Sequence, residues 1–139
     1  MTPGADAILW PVAAHLALIF CLYAALSVAR FLTVASGDKR YADFQFSGGD
    51  APAAARISAN LSNQFELGPL FHVLALTLWV TDSVTPAQLA LAWAFVAGRL
   101  AHTLVQTLSG NVVLRGLVFS VNFLALAAMW TIFLAGVLL

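Results

Sequence analysis

The polar or ionisable side chains inside stretches that are otherwise apolar include Arg30, Arg56, Asn60, Asn63, Glu66, Arg99, His102, Gln106, Arg115 and Asn122. A charge at the centre of a bilayer costs about 2.5–3.5 kcal/mol on insertion scales, so residues of this kind inside a membrane bundle mark a polar site by default. Their spacing is helical. At about 100° per residue, Arg56, Asn60 and Asn63 fall within an arc of about 60°, and Glu66 continues the stripe by a turn. Arg99, His102 and Gln106 share one face at spacings of three and four, and Arg115 and Asn122 are seven apart. Glu66 is the one carboxylate inside a long apolar segment, so it is expected to pair with an arginine. Two chemistries fit this set. Arginines outnumber the glutamate, and guanidinium forks suit carboxylates, which points to a small anionic ligand. The same residues could equally serve as interhelical polar bonds that hold a bundle together.

Other chemistries have less support. His15, His72 and His102 lie on different segments with no i, i+4 pairing, so no metal site is expected, and a proton relay through Glu66 and His102 has little behind it. There is no Cys-x-x-Cys pair, no glycine-rich phosphate loop and no Ser–His–Asp set. The single cysteine, Cys21, lies mid-run, where a buried thiol is inert packing. The net charge is zero, so no basic surface suggests nucleic acid.

The elements that must position these residues are helices. Of the 139 residues 62% are hydrophobic and 9% charged, which places the chain among integral membrane proteins. At about 20 residues per span, four spans leave no room for a separate soluble domain. The expected fold is all-α: one domain over residues 1–139, an up-down-up-down four-helix transmembrane bundle with helices at about 7–34, 52–80, 86–108 and 112–139. The first segment is read as a retained helix, because Asp6 replaces a basic leader and the uncharged run is too long for a signal peptide. Arg30, near its inner end, is expected to snorkel to the headgroups, and His15 to make an interfacial or interhelical hydrogen bond. Ser36–Pro52 is the one long polar loop, broken by Gly37, Gly48, Gly49 and Pro52. Pro69 should kink the second helix and free a carbonyl. Lys39 and Arg40 in the first loop, with Arg115 beyond the third turn, put those loops in the cytoplasm and both termini on the other side.

Two motifs carry a family resemblance. Gly98-Arg99-Leu100-Ala101-His102-Thr103, with Arg115 sixteen residues after Arg99, resembles the third and fourth helices of the MAPEG family, the membrane-associated proteins in eicosanoid and glutathione metabolism, and among them the prostaglandin E synthase branch. Asn63-Gln64-Phe65-Glu66-Leu67, followed by Pro69-Leu70-Phe71, is similar to the Asn-x-x-Glu…Pro-x-x-Phe stretch of the second helix, in a form like that of bacterial members. The resemblance implies a homotrimer in a bacterial inner membrane, with glutathione as co-substrate at the subunit interfaces near the cytoplasmic side. It implies that Arg115 stabilises the glutathione thiolate, that Asn63, Glu66, Arg99 and His102 position the peptide, and that a lipophilic electrophile or hydroperoxide enters from the bilayer. Arg56, a turn before Ala59, and Gln106, which can still hydrogen-bond, are expected to complete the peptide site. Three positions differ from the pattern: Ala59 stands where the enzymes carry an arginine, Gln106 where they carry a tyrosine, and Gly116 where the prostaglandin branch has a serine. The expected function is a glutathione-dependent transferase or peroxidase. The alternatives are a non-catalytic lipid-binding scaffold of the same fold and a small proton-coupled transport subunit using Glu66.

Overall fold

A computed structural model describes residues 4–45 and 48–138. Phe46 and Ser47 of the expected loop, Leu139 at the expected end of the fourth helix, and Met1–Pro3 lie outside them. Four long helices make up the fold: α1 (Leu9–Ala35), α2 (Pro52–Val80), α3 (Pro86–Leu108) and α4 (Val112–Leu138). One-turn 3-10 segments at Ala5–Ile8 and Tyr41–Gln45 complete it, with no strand among the described residues.

The helix ends follow local chemistry. Pro52 and Pro86 occupy first-turn positions, where the missing N–H would have had no partner. Thr85 caps α3 by accepting from the Gln88 amide at 3.2 Å, and Asn111 opens α4 by accepting from the Leu114 amide at 3.0 Å. α2 closes on Asp82, which has φ 52, with the Asp82 amide donating to Trp79 and the Ser83 amide to Leu78. α2 remains one helix through Pro69, which leaves the Phe65 carbonyl without its usual donor.

Packing places the core toward the far end of the bundle from the long loop. Phe71 of α2 stacks on Phe95 of α3 with ring centroids 4.5 Å apart, and Leu74, Leu78, Val96, Leu126 and Met129 close around them. A smaller cluster, Ile19, Leu22, Leu26 and Leu61, joins α1 to α2. Two close approaches between helices depend on glycine. A Cβ on Gly68 would meet the His15 ring at 3.0 Å, and one on Gly98 would collide with the Asn122 carboxamide. The outer surface is apolar, with Phe20 70%, Val80 76% and Leu108 78% exposed, as suits lipid rather than water.

The all-helical membrane bundle is as expected, with a difference in α2. Ala5–Ala35, Pro86–Leu108 and Val112–Leu138 are long and apolar enough to cross a membrane. α2 matches them in length, but Arg56, Asn60, Asn63, Gln64 and Glu66 make its first half polar. It runs alongside α1 for the length of the bundle: the Trp79 indole at its end donates to Asp6 at the start of the chain at 2.8 Å. Two further expectations are corrected. Arg30 does not reach outward for headgroups; its Nε and one terminal nitrogen donate to Asp50 at 2.7 and 2.8 Å, with Phe44 under the guanidinium at 5.4 Å. Cys21 is exposed on the outer face of α1 instead of packed inside, because α1 buries only the side carrying His15, Ile19, Leu22 and Leu26.

Candidate functional site

The polar half of α2, the end of α3 and the start of α4 diverge around a cleft of about 660 Å³. Five of the residues expected to form a site line it: Asn63 and Glu66 from α2, His102 and Gln106 from α3, and Arg115 from α4. Ser62, Gly116 and Phe119 complete the wall, together with Ala59 and Val112. A second hollow of about 280 Å³ adjoins it, sharing Ala59, Gln106, Val112 and Arg115 and adding Arg56. Arg56 and Arg115 therefore stand over neighbouring parts of one depression.

Glu66 does not pair with an arginine, contrary to expectation. The ion pairs among the described residues are Arg30–Asp50 and Arg40–Asp43. Glu66 instead belongs to a short amide chain. Asn63 is 2.8 Å from Gln106 across the α2–α3 seam, and turning both carboxamides sets the Asn63 nitrogen 2.8 Å from Glu66 Oε1 while Gln106 donates to the Asn63 oxygen. An exposed carboxylate is thereby held at the rim without a cation. Arg115, also exposed, has no side-chain hydrogen bond among the described residues. His102 is buried beneath the cleft, 6.1 Å from the Phe119 ring, with no hydrogen-bond partner for Nδ1. The depression thus offers one free carboxylate, two cations and several amide or imidazole groups.

Arg99 stands apart from the other site residues. It is fully buried behind the cleft wall, where its Nε donates to Gln64 Oε1 at 2.9 Å and a terminal nitrogen donates to the Asn63 carbonyl. The Phe95 ring lies 5.9 Å from the guanidinium carbon. Arg99 therefore holds the α2 backbone where Asn63 emerges, and its terminal Nη1 has no partner. The helical stripe on α2 also divides. Asn60 turns fully inward toward Gln64 and Thr103, while Arg56 and Glu66 face outward. Asn122 is buried beside Gly98 with both carboxamide atoms unpartnered, well inside the bundle from Arg115.

Sequence reasoning missed the hub of this network. Gln64 accepts from Arg99, donates to Asn60 at 3.0 Å and meets His15 Nε2 at 3.1 Å, and His15 Nδ1 in turn lies 3.1 Å from His72 Nε2. His15 thus makes an interhelical hydrogen bond, one of the two roles expected for it. The signal for Gln64 was its spacing of four from Asn60 inside a helix. The link to His15 depends on the relative height of α1 and α2, which spacing within one helix does not carry.

Outside the bundle, the Arg30 guanidinium holds the Asp50 carboxyl below the usual carboxylate range, chiefly through their hydrogen bonds. This pair ties the long loop to the end of α1 on the side of the cleft. No curated protein and no solved structure matches the chain. The model of the MAPEG family matches residues 8–135, nearly the whole sequence and every helix that lines the cleft. The chain belongs to the MAPEG family.

Proposed function

We propose that the protein is a membrane-bound glutathione-dependent transferase or peroxidase acting on lipophilic electrophiles, built as a homotrimer in a bacterial inner membrane with its termini on the non-cytoplasmic side. The observation that carries this reading is the pairing of two free charges across one cleft: Glu66 without a cation and Arg115 without an anion. Glutathione is a zwitterionic tripeptide with one ammonium, two carboxylates and a thiol, and it would supply the sulfur nucleophile. Glu66 suits the ammonium, and Asn63 and Gln106 suit its amide groups. Arg56, over the adjoining hollow, suits a carboxylate.

Arg115 then faces the thiol. A guanidinium beside a thiol favours the anion, which is the nucleophile, and a dry site strengthens the effect. His102 can offer a hydrogen bond from below, and Arg99 acts by fixing the Asn63 backbone. In a transferase step the carbon–sulfur bond forms as the leaving group takes the electron pair. In a peroxidase step the sulfur takes the distal oxygen, the alkoxide receives a proton, and a second thiol completes the disulfide and water.

One observation favours the scaffold alternative. Ala59 lines the cleft where the enzymes' pattern has an arginine, and Gln106 where it has a phenol. Calorimetric titration of the detergent-solubilised protein with glutathione separates the two. Saturable binding at millimolar concentration or tighter, with turnover of an aryl halide or a lipid hydroperoxide, supports the enzyme. Retained lipid with no glutathione binding moves the assignment to the scaffold.

A further inference from the structure

A second cavity, of about 560 Å³, lies at the opposite end of the bundle between the α2–α3 turn and the last turns of α4. Its walls are apolar on one side, with Leu78, Val84, Ile132 and Phe133, while Asp82 and Gln88 supply polar atoms. Gln88 is 1% exposed, and its Oε1 has no hydrogen-bond partner. The orientation of this amide is set, because its nitrogen donates to the Met129 carbonyl at 3.1 Å and the reverse would oppose two oxygens. An acceptor buried without a donor is costly, so this oxygen needs an N–H or O–H from outside the chain, and a ligand in the cavity can supply it in place of water.

The other polar groups here narrow the ligand. Thr85 Oγ1 already accepts from the Gln88 amide, and the Ser83 hydroxyl donates to the Thr81 carbonyl at 3.1 Å. The other carboxylate at this end, Asp6, receives the Trp79 indole at 2.8 Å. Asp82 has no side-chain partner among the described residues, and no lysine or arginine lines the cavity. α2 and α4 end at this side of the membrane while α1 and α3 begin there, so the helix dipoles offset one another and the side chains set the sign of the site. The Asp82 carboxylate and the buried Gln88 Oε1, beside an apolar wall that carries no cation, select a cation with N–H donors and an aliphatic body.

We propose that this cavity binds a primary ammonium group borne on an apolar chain, held by Gln88 Oε1 and the Asp82 carboxylate with its tail along Ile132 and Phe133. A quaternary ammonium lacks the N–H that Gln88 requires, and an alcohol lacks the charge that Asp82 requires. The ammonium could come from an ethanolamine lipid headgroup or from a free long-chain amine.

The test is calorimetric titration of the full chain in neutral detergent with n-dodecylamine, dodecanol and dodecyltrimethylammonium, which share one tail. Saturable dodecylamine binding at least about tenfold tighter than either of the others supports the site, as does a similar loss in Asp82→Asn or Gln88→Leu. Asp82 is exposed in the turn, so its variant stays informative should Gln88→Leu fail to fold. Equal uptake of all three compounds, or amine binding unchanged in Asp82→Asn, overturns the proposal. Repeating the titration in phosphatidylcholine nanodiscs with and without phosphatidylethanolamine identifies the source. Competition by the ethanolamine lipid assigns the headgroup, and undiminished amine binding assigns the free amine.

Discussion

In the proposed function Glu66 and Arg115 set the chemistry at the residue scale, because neither forms an ion pair among the described residues. The neighbour expected to neutralise Glu66 was an arginine, yet the nearest buried one, Arg99, is already committed to Gln64 and the Asn63 carbonyl. A free rim carboxylate is a poor structural element and a good ammonium ligand. Glu66→Gln should therefore weaken glutathione binding about tenfold or more, the loss typical of a charged hydrogen bond, while leaving thermal unfolding unchanged because the side chain is exposed. Calorimetry and a melting curve on the same sample check both halves. The identities of Asn63, Glu66, His102, Gln106 and Arg115 were legible in the sequence because charge inside apolar segments is rare and their spacing is helical. Their partners were not legible. A helical stripe gives the direction of a side chain but not which helix it meets, so Asn60 joined the interior while Arg56 and Glu66, from the same stripe, stayed outside.

At the scale of the element, two contacts decide how the helices hold the cleft. α3 and α4 meet where Gly98 leaves room for Asn122, whose carboxamide finds no hydrogen bond among the described residues. Gly98→Ala should destabilise the fold by about 1–3 kcal/mol through overpacking one residue before Arg99. Adding Asn122→Ala should recover most of that loss, and the coupling can be read from a double-mutant cycle of thermal unfolding. The second contact is Arg30–Asp50, which fastens the long loop to α1. The Asp50 carboxyl is depressed in the folded protein, so its contribution is fully present above the ordinary aspartate range and is lost as pH falls through the lowered native value. Hydrogen exchange of residues 37–45 and 48–50 should accelerate beyond its intrinsic pH dependence on acidification through that window, and Asp50→Asn should show the faster rate throughout. Helix limits were readable from Pro52, Pro86 and the apolar runs. The loop tether was not, because Arg30 and Asp50 are separated by a segment whose path the sequence does not state.

At the scale of the whole molecule, the bundle places a partly polar cavity at each end of an apolar belt. Every lysine and arginine lies toward the end that holds the long loop and the cleft, and Asp6 and Asp82 lie at the other. On the proposed topology, which rests on the positive-inside rule, the cleft faces the cytoplasm. A cysteine introduced at Asp38, in a Cys21→Ala background, should react with a membrane-impermeant maleimide only from the cytoplasmic side, and one at Asp82 only from the opposite side. The most direct test of the central claim is the thiolate absorbance that appears when glutathione is added to the solubilised protein, measured for the wild type and for Arg115→Ala. The account predicts a saturable thiolate band at neutral pH in the wild type and its loss in Arg115→Ala. A band of equal size in both, or none in the wild type at millimolar glutathione, would contradict it.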